Sequence, residues 1–424
     1  MSVIVMKNQP QYFLSVALGI ALSMTSACAE EKPTWNQWRG SNRDGIVAGN
    51  KWPQSLGEDT LAPVWRKELP PSYSGPVLSR TTVFTTATEN RENEVAYAFD
   101  RKSGEQLWRT QWPGAMTVPF FAAANGSWIR ATPAFDGNSL FVAGMRDVLV
   151  SLDAKTGEIQ WQADFVKRLD APLPAFGFAS SPLLDGQFLY VQAGAAFLKV
   201  DKATGDIVWK TLEDREGRYD SAFSSPTFGT IGGKRQLIVQ TRQKLAGVNP
   251  DNGKVLWEQN VPSYRGMNIL TPQQFGDSFF TSSYRNKSWL FNINSADDKF
   301  DVTEAWSSNV AGYMSSPVVI GDHVYLHLQN QRFTCFNLRS GEREWTSQPF
   351  GKYCSLIAQG DQILALDERG VLLLIKANPQ EFELAEERRI SDEQCWAHVA
   401  VDKDQVFVRE LNGLSSFRWD KGDN

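Results

Sequence analysis

Short apolar runs recur along the chain at intervals of about forty to fifty residues, and the same polar punctuation closes most of them. Val95-Ala96-Tyr97-Ala98-Phe99 ends at Asp100, Val148-Leu149-Val150-Ser151-Leu152 at Asp153, and Ala196-Phe197-Leu198-Lys199-Val200 at Asp201. Their β-branched and aromatic content, with partial alternation, predicts strands. The punctuation is Asp or Asn, three residues, Gly, three residues, Trp. It occurs at Asp100-Gly104-Trp108, Asp153-Gly157-Trp161, Asp201-Gly205-Trp209, Asn249-Gly253-Trp257 and Asn337-Gly341-Trp345. The Asp or Asn side chain opens a turn by bonding backbone groups two residues on. The Gly supplies the positive φ of a tight hairpin. The return strand then carries an indole at a fixed height, as Ile159 and Trp161 illustrate by sharing one face.

A second phrase alternates with the first: Ser or Thr, then Pro, a turn, and another apolar run. Its copies are Ser74-Gly75-Pro76, Thr132-Pro133, Ser181-Pro182, Ser225-Pro226, Thr271-Pro272 and Ser316-Pro317, with weaker ones at Ser355-Leu356 and His398-Val399. Together the phrases predict an all-β chain of four-stranded antiparallel units, an eight-bladed β-propeller whose hairpin strands end near 100, 153, 201, 249, 294, 337, 376 and 418. Two units depart from the pattern. The fifth has Asn294 and Trp306 but is expected to carry a long charged loop from Ser295 to Glu304, and the seventh has no Trp. The eighth runs out of chain after Arg418, and the missing outer strand is found at Ala62-Pro63-Val64-Trp65-Arg66-Lys67. An N-terminal strand is therefore expected to close the ring, which removes the exposed sheet edge of an open array.

The ends divide the chain into residues 1–29 as a signal peptide, 30–60 as an N-terminal extension and 61–424 as the propeller. Lys7 followed by an apolar stretch from Tyr12 to Met24 marks export, and the stretch is short for a membrane span. The cleavage site has two readings. Ala27-Cys28-Ala29 suits removal before Glu30, whereas Thr25-Ser26-Ala27-Cys28 suits a lipoprotein with Cys28 acylated. Cys335, Cys354 and Cys395 then lie in an oxidising space; Cys354 and Cys395 start inner strands of neighbouring blades, and either a disulfide or buried single thiols fit. A formal charge of −5 without a basic stripe argues against nucleic acid as partner. His323 and His327 share a strand, but no Cys or His in register completes a metal site, and no nucleophile elbow or phosphate loop is present.

Strand-Asp-x-x-Thr-Gly-x-x-x-Trp, complete at Asp153 to Trp161 and repeated at Asp201 to Trp209, resembles the tryptophan-docking motif of pyrroloquinoline-quinone (PQQ)-like propeller repeats. The head Trp35-Asn36-Gln37-Trp38-Arg39-Gly40-Ser41-Asn42-Arg43-Asp44-Gly45 is likewise similar to that of secreted bacterial PQQ-like repeat proteins. The resemblance implies that Trp65, Trp108, Trp161, Trp209, Trp257, Trp306 and Trp345 stack between blades. It does not fix activity, because the family holds both quinoprotein dehydrogenases and non-catalytic members such as the propeller lipoproteins of outer-membrane assembly. The dehydrogenases imply PQQ held against two adjacent Cys, with Ca²⁺ bridged by Glu and Asn and an Asp base. This chain has no adjacent Cys pair and no Ca²⁺ loop.

The remaining candidate site is the mouth of the central channel, where loops enter the inner strands. These loops carry Tyr73, Trp128, Arg130, Phe176, Phe178, Tyr219, Asp220, Phe223, Tyr264, Arg265, Tyr313, Tyr353 and Trp396. An aromatic funnel with a few cations can stack on sugar rings, grip an extended peptide or receive a protein loop. The expectation is a monomeric, non-catalytic binding or scaffold protein of the bacterial cell envelope, its partner an envelope protein or polysaccharide. The alternatives are a PQQ- and calcium-dependent dehydrogenase and a carbohydrate-binding propeller. Any membrane contact is expected through Cys28 alone.

Overall fold

The computed structural model describes residues 1–3, 35–49, 51–215, 221–297 and 299–419. The signal peptide, both cleavage readings and Cys28 lie outside the described residues. The rest forms an eight-bladed propeller of four-stranded antiparallel sheets. Middle strands are buried on both faces, which is why their apolar runs are nearly continuous; Thr82–Glu89 and Asn93–Asp100 are examples. Outer strands such as Gln106–Pro113 alternate between exposed and buried positions. The core lies between blades, as where Phe84 and Ala98 of the first meet Leu140 and Val150 of the second. Closure occurs as the sequence reads: Leu61–Glu68 pairs antiparallel with Gly413–Trp419, placing Trp65 opposite Ser416.

The repeated phrase joins most blades to the next. Within the turn, Asp153 Oδ1 accepts from the N–H groups of Lys155 (2.9 Å) and Thr156 (2.8 Å). Across the joint, Trp108 Nε1 donates to Ala154 O at 2.9 Å, and Trp161 Nε1 to Lys202 O at 3.0 Å. Trp65, Trp209, Trp306 and Trp345 make the same bond to Arg101, Pro250, Leu338 and Asn378. The rings of Trp65, Trp108, Trp161, Trp209 and Trp306 also lie on the turn glycine of the following blade. A Cβ added at Gly157 (φ +77°) would meet the Trp108 ring at 2.7 Å. The glycine thus serves twice, by adopting a left-handed conformation and by leaving room for the neighbouring indole.

Trp257 departs from this pattern. Its Nε1 donates to Gln236 Oε1 of its own blade at 2.8 Å. The following blade offers no Asp-x-x-x-Gly turn, because the expected loop from Ser295 to Glu304 is not a loop. Ser288–Ala296 and Lys299–Ser308 pair continuously, with Ser295 opposite Phe300 and Ala296 opposite Lys299. Phe300 and Val302, two apart, pack against the core between the fourth and fifth blades and keep this ladder folded. In the seventh blade, Glu386 stands at the register position of the missing Trp, directly before the bulge. Its carboxylate accepts from Leu56 N at 2.6 Å, while Arg388 donates to Leu56 O and Leu61 O. The N-terminal extension thus supplies the joint that an indole makes elsewhere.

Cys335, Cys354 and Cys395 are buried free thiols. Cys354 begins an inner strand, but Cys395 lies in the loop before Ala400–Asp402. His327 is buried and held down to about 4 by its surroundings, so it is neutral at physiological pH. Glu94 is a buried carboxyl that ties the first blade to the second, accepting from Met145 N (2.6 Å) and Trp112 Nε1 (3.2 Å). Burial pushes it up to about 7, against those two hydrogen bonds. A carboxyl raised on folding stabilises the fold at low pH, and that contribution fades as pH rises from its unfolded value through about 7. Glu94→Gln keeps the acceptor for Met145 and cannot ionise. Its stability relative to wild type should therefore improve by about 2–3 kcal/mol between pH 5 and pH 8. Urea midpoints at the two pH values test this, and a pH-independent difference would contradict it.

Candidate ligand site at the channel mouth

The Ser/Thr-Pro phrases build a belt around the channel. Four of the hydroxyls accept from a backbone N–H of the preceding blade: Thr132 from Gly75, Ser181 from Thr132, Ser225 from Ser181, and Ser316 from Thr271, at 2.9–3.2 Å; the Thr271 hydroxyl instead donates to Ser225 O at 3.1 Å. The belt fixes where the inner strands begin, and hence where the loops before them point.

Those loops enclose an open cavity of about 1130 Å³. Tyr73, Arg130, Phe223, Tyr313, Tyr353 and Trp396 line it, joined by Phe176. On one wall Tyr353 stacks on Trp396 at 5.4 Å, and Tyr73 meets Trp396 at 6.0 Å. Burial raises the Tyr73, Tyr313 and Tyr353 phenols, so all three stay neutral donors. Burial lowers the Arg130 guanidinium to about 10. Its Nε donates to Trp128 O at 3.4 Å, and no ion pair holds it among the described residues.

Other expected mouth residues fall elsewhere. Phe178 is only 2% exposed and packs in the core between the second and third blades. Its spacing from the Ser-Pro phrase matched that of true mouth residues, but Gly177 turns the chain with φ +73° just before it. Trp128 is half-buried and does not line this cavity, while Tyr264 and Arg265 lie on an adjoining groove. Tyr219 and Asp220 lie outside the described residues.

The floor comes from a segment to which sequence reasoning gave no position. Trp35 to Val47 crosses the channel. Its backbone bonds Leu78 and Phe135 of the first two blades through Trp35 O and Asn36 O, and brackets Ala358 of the seventh through Gly45 O and Val47 N. Arg43 donates to Pro182 O (2.6 Å) and Ser181 O (2.9 Å), and Arg39 to Pro317 O (2.6 Å). Both guanidiniums lie near the Trp38 ring, at 5.6 and 5.7 Å, and Trp38 meets His398 edge-on at 5.1 Å. Gly45 (φ +78°) folds back so closely that a Cβ would sit 2.4 Å from Arg39 Nη2. Desolvation lowers Arg39 to about 10 and Arg43 to about 9. It also drives His398 to about 3, with Arg39 adding to the effect. The signal in the sequence was two Trp and two Arg in a segment without strand period.

The cavity can stack flat or apolar groups and donate to acceptors. A quinone–Ca²⁺ pair of the kind the resemblance implies does not fit its donor set. Ca²⁺ needs carboxylate or amide oxygens, and no Asp, Glu or Asn lines the cavity among the described residues. The thiols of Cys335, Cys354 and Cys395 are single, and burial raises the first and last to about 12.

Known proteins place this architecture. The chain is 21% identical over 367 residues to the outer membrane protein assembly factor BamB of Shewanella oneidensis, covering 83% of this chain and 75% of that protein. In fold it is similar to the crystal structure of BamB from Moraxella catarrhalis, with a TM-score of 0.63 and 12% identity over 86% of this chain and 99% of that one. It is equally similar in fold to a europium-containing methanol dehydrogenase, with a TM-score of 0.65 and 11% identity over 90% of this chain and 98% of that one. Residues 91–347, more than half of the chain, match the family described as outer membrane protein assembly factor BamB, and the chain belongs to that family.

Proposed function

We propose that this chain is a non-catalytic propeller of the bacterial cell envelope that serves outer-membrane protein assembly by receiving a protein partner at the channel mouth. Family membership across residues 91–347 carries the reading. The mouth adds to it: its rings and Arg130 suit a polypeptide side chain, and its donor set does not suit a calcium-bound quinone. The apolar stretch from Tyr12 to Met24 accords with export, with or without a lipid on Cys28. Photocrosslinking in the native host tests the partner. A crosslinking residue in place of Trp396 is expected to capture an outer-membrane assembly protein, whereas one in place of Ile159, on an outer strand, is not. Equal capture from both positions, or none, would count against the reading.

A further inference from the structure

Beside the cavity lies a second hollow of about 770 Å³, sharing Phe176, Phe223 and Met267 with it. One wall is a ladder of rings, Phe121 to Phe176 at 6.2 Å and Phe176 to Phe223 at 5.6 Å, and Phe120 extends it beyond the hollow, 5.7 Å from Phe121. Phe120 is 91% exposed and Phe121 44%, an unusual cost for a folded chain to carry in water. The other wall is Tyr264 and Tyr284, 6.0 Å apart. Arg285 lies over both tyrosines, at 4.8 and 5.2 Å, and Arg265 lies between Tyr264 (5.1 Å) and Phe121 (5.7 Å).

The charge is as telling as the rings. No carboxylate lines this hollow among the described residues, and neither Arg265 nor Arg285 has a side-chain hydrogen bond or ion pair there. Two other surface arginines that lie over a ring are paired: Arg235, over Phe228, with Asp185, and Arg339, over Phe275, with Asp322, both through two hydrogen bonds. Aromatic faces hold the two guanidiniums in place while leaving their N–H donors free. Both residues adopt a left-handed backbone, at φ 56° each.

We propose that this groove binds an acidic polypeptide segment that also carries an apolar side chain. In an extended segment, residues two apart share a face. A carboxylate can then reach a guanidinium while an apolar side chain at the next position on that face settles against Phe121. A neutral sugar fits less well, because the guanidiniums only donate and no carboxylate is present to accept from hydroxyls. An anionic membrane surface fits less well too, since the groove is concave and only Phe120 projects strongly. The proposal rests on the reading of this chain as a binding propeller, and it names the chemistry of what is bound.

The test uses the full chain and a fluorescein-labelled decapeptide in which aspartate and phenylalanine stand two apart with a serine between them, so that both fall on one face, followed by anisotropy. The peptide is expected to bind, to weaken as salt rises, and to lose about tenfold in affinity in an Arg265→Gln, Arg285→Gln double variant. An Arg339→Gln variant should bind as wild type does. Neither arginine supports the fold by a hydrogen bond, so unchanged melting is expected to accompany the loss. Equal binding of a lysine-for-aspartate peptide, an unaffected double variant, or saturable binding only to phosphatidylglycerol vesicles or oligouronates would overturn the proposal. Crosslinking through Trp396 that persists alongside such a result would refute the groove and leave the assembly function standing.

Discussion

Gly157→Ala and Gly205→Ala should each destabilise the propeller by about 3–5 kcal/mol. Both positions have φ near +76°, at +77° and +75°, where an alanine costs on the order of 1 kcal/mol. The larger part comes from the joint. An added Cβ would lie 2.7 Å from the Trp108 ring or 2.6 Å from that of Trp161. Neither indole can withdraw freely, because its Nε1 is bonded to Ala154 O or Lys202 O in the same turn. Relief therefore breaks a partly buried hydrogen bond and unpacks one blade from the next. Gly186 provides the control: its φ is +55° and nothing stands within 4 Å of an added Cβ. Gly186→Ala should show only the backbone part, about 1 kcal/mol. Denaturant unfolding of the three variants decides the matter, and equal losses would show that the indoles do not constrain the turns.

The second large effect concerns the channel floor. Arg39→Met with Arg43→Met should cost about 2–4 kcal/mol and open the channel. The two guanidiniums are the donors for Pro317 O, Pro182 O and Ser181 O, and buried acceptors left without donors are costly. Part of that loss is offset, because neither arginine has a buried counter-ion and removing the charge relieves its desolvation. The more specific readout is local. Without its anchors the segment from Trp35 to Val47 should become cleavable by protease, and Trp38 should gain access to acrylamide, while the blades stay folded. Protection equal to wild type would mean that backbone bonds alone hold the plug.

The blades were legible because a propeller writes its fold locally. Asp153, Gly157 and Trp161 fall within nine residues and specify one turn and one joint, and the bond to the next blade repeats with the period. Pairing from Ser288 to Ser308 was misread because charge at Asp297, Lys299 and Asp301 masked the alternation of Phe300 and Val302. Glu386 at an indole position could not be read at all, since its partner, Leu56, lies 330 residues away. The mouth was partly legible. Tyr73, Arg130, Phe223, Tyr313, Tyr353 and Trp396 share one cavity because each precedes the same phrase. Phe178 shares that spacing and is nonetheless core, since one Gly turn decides which way a ring points. The floor escaped because no repeating feature brings Trp38 to His398, at opposite ends of the chain.

The proposed role in outer-membrane protein assembly is tested most directly by deleting the chain in its native host and quantifying folded β-barrel proteins in the outer membrane. The expected result is a fall in their amount that wild-type chain restores and that a Tyr73→Ala, Trp396→Ala variant, folded but altered at the mouth, restores only in part. Barrel levels unchanged by complete loss of the chain would contradict the account.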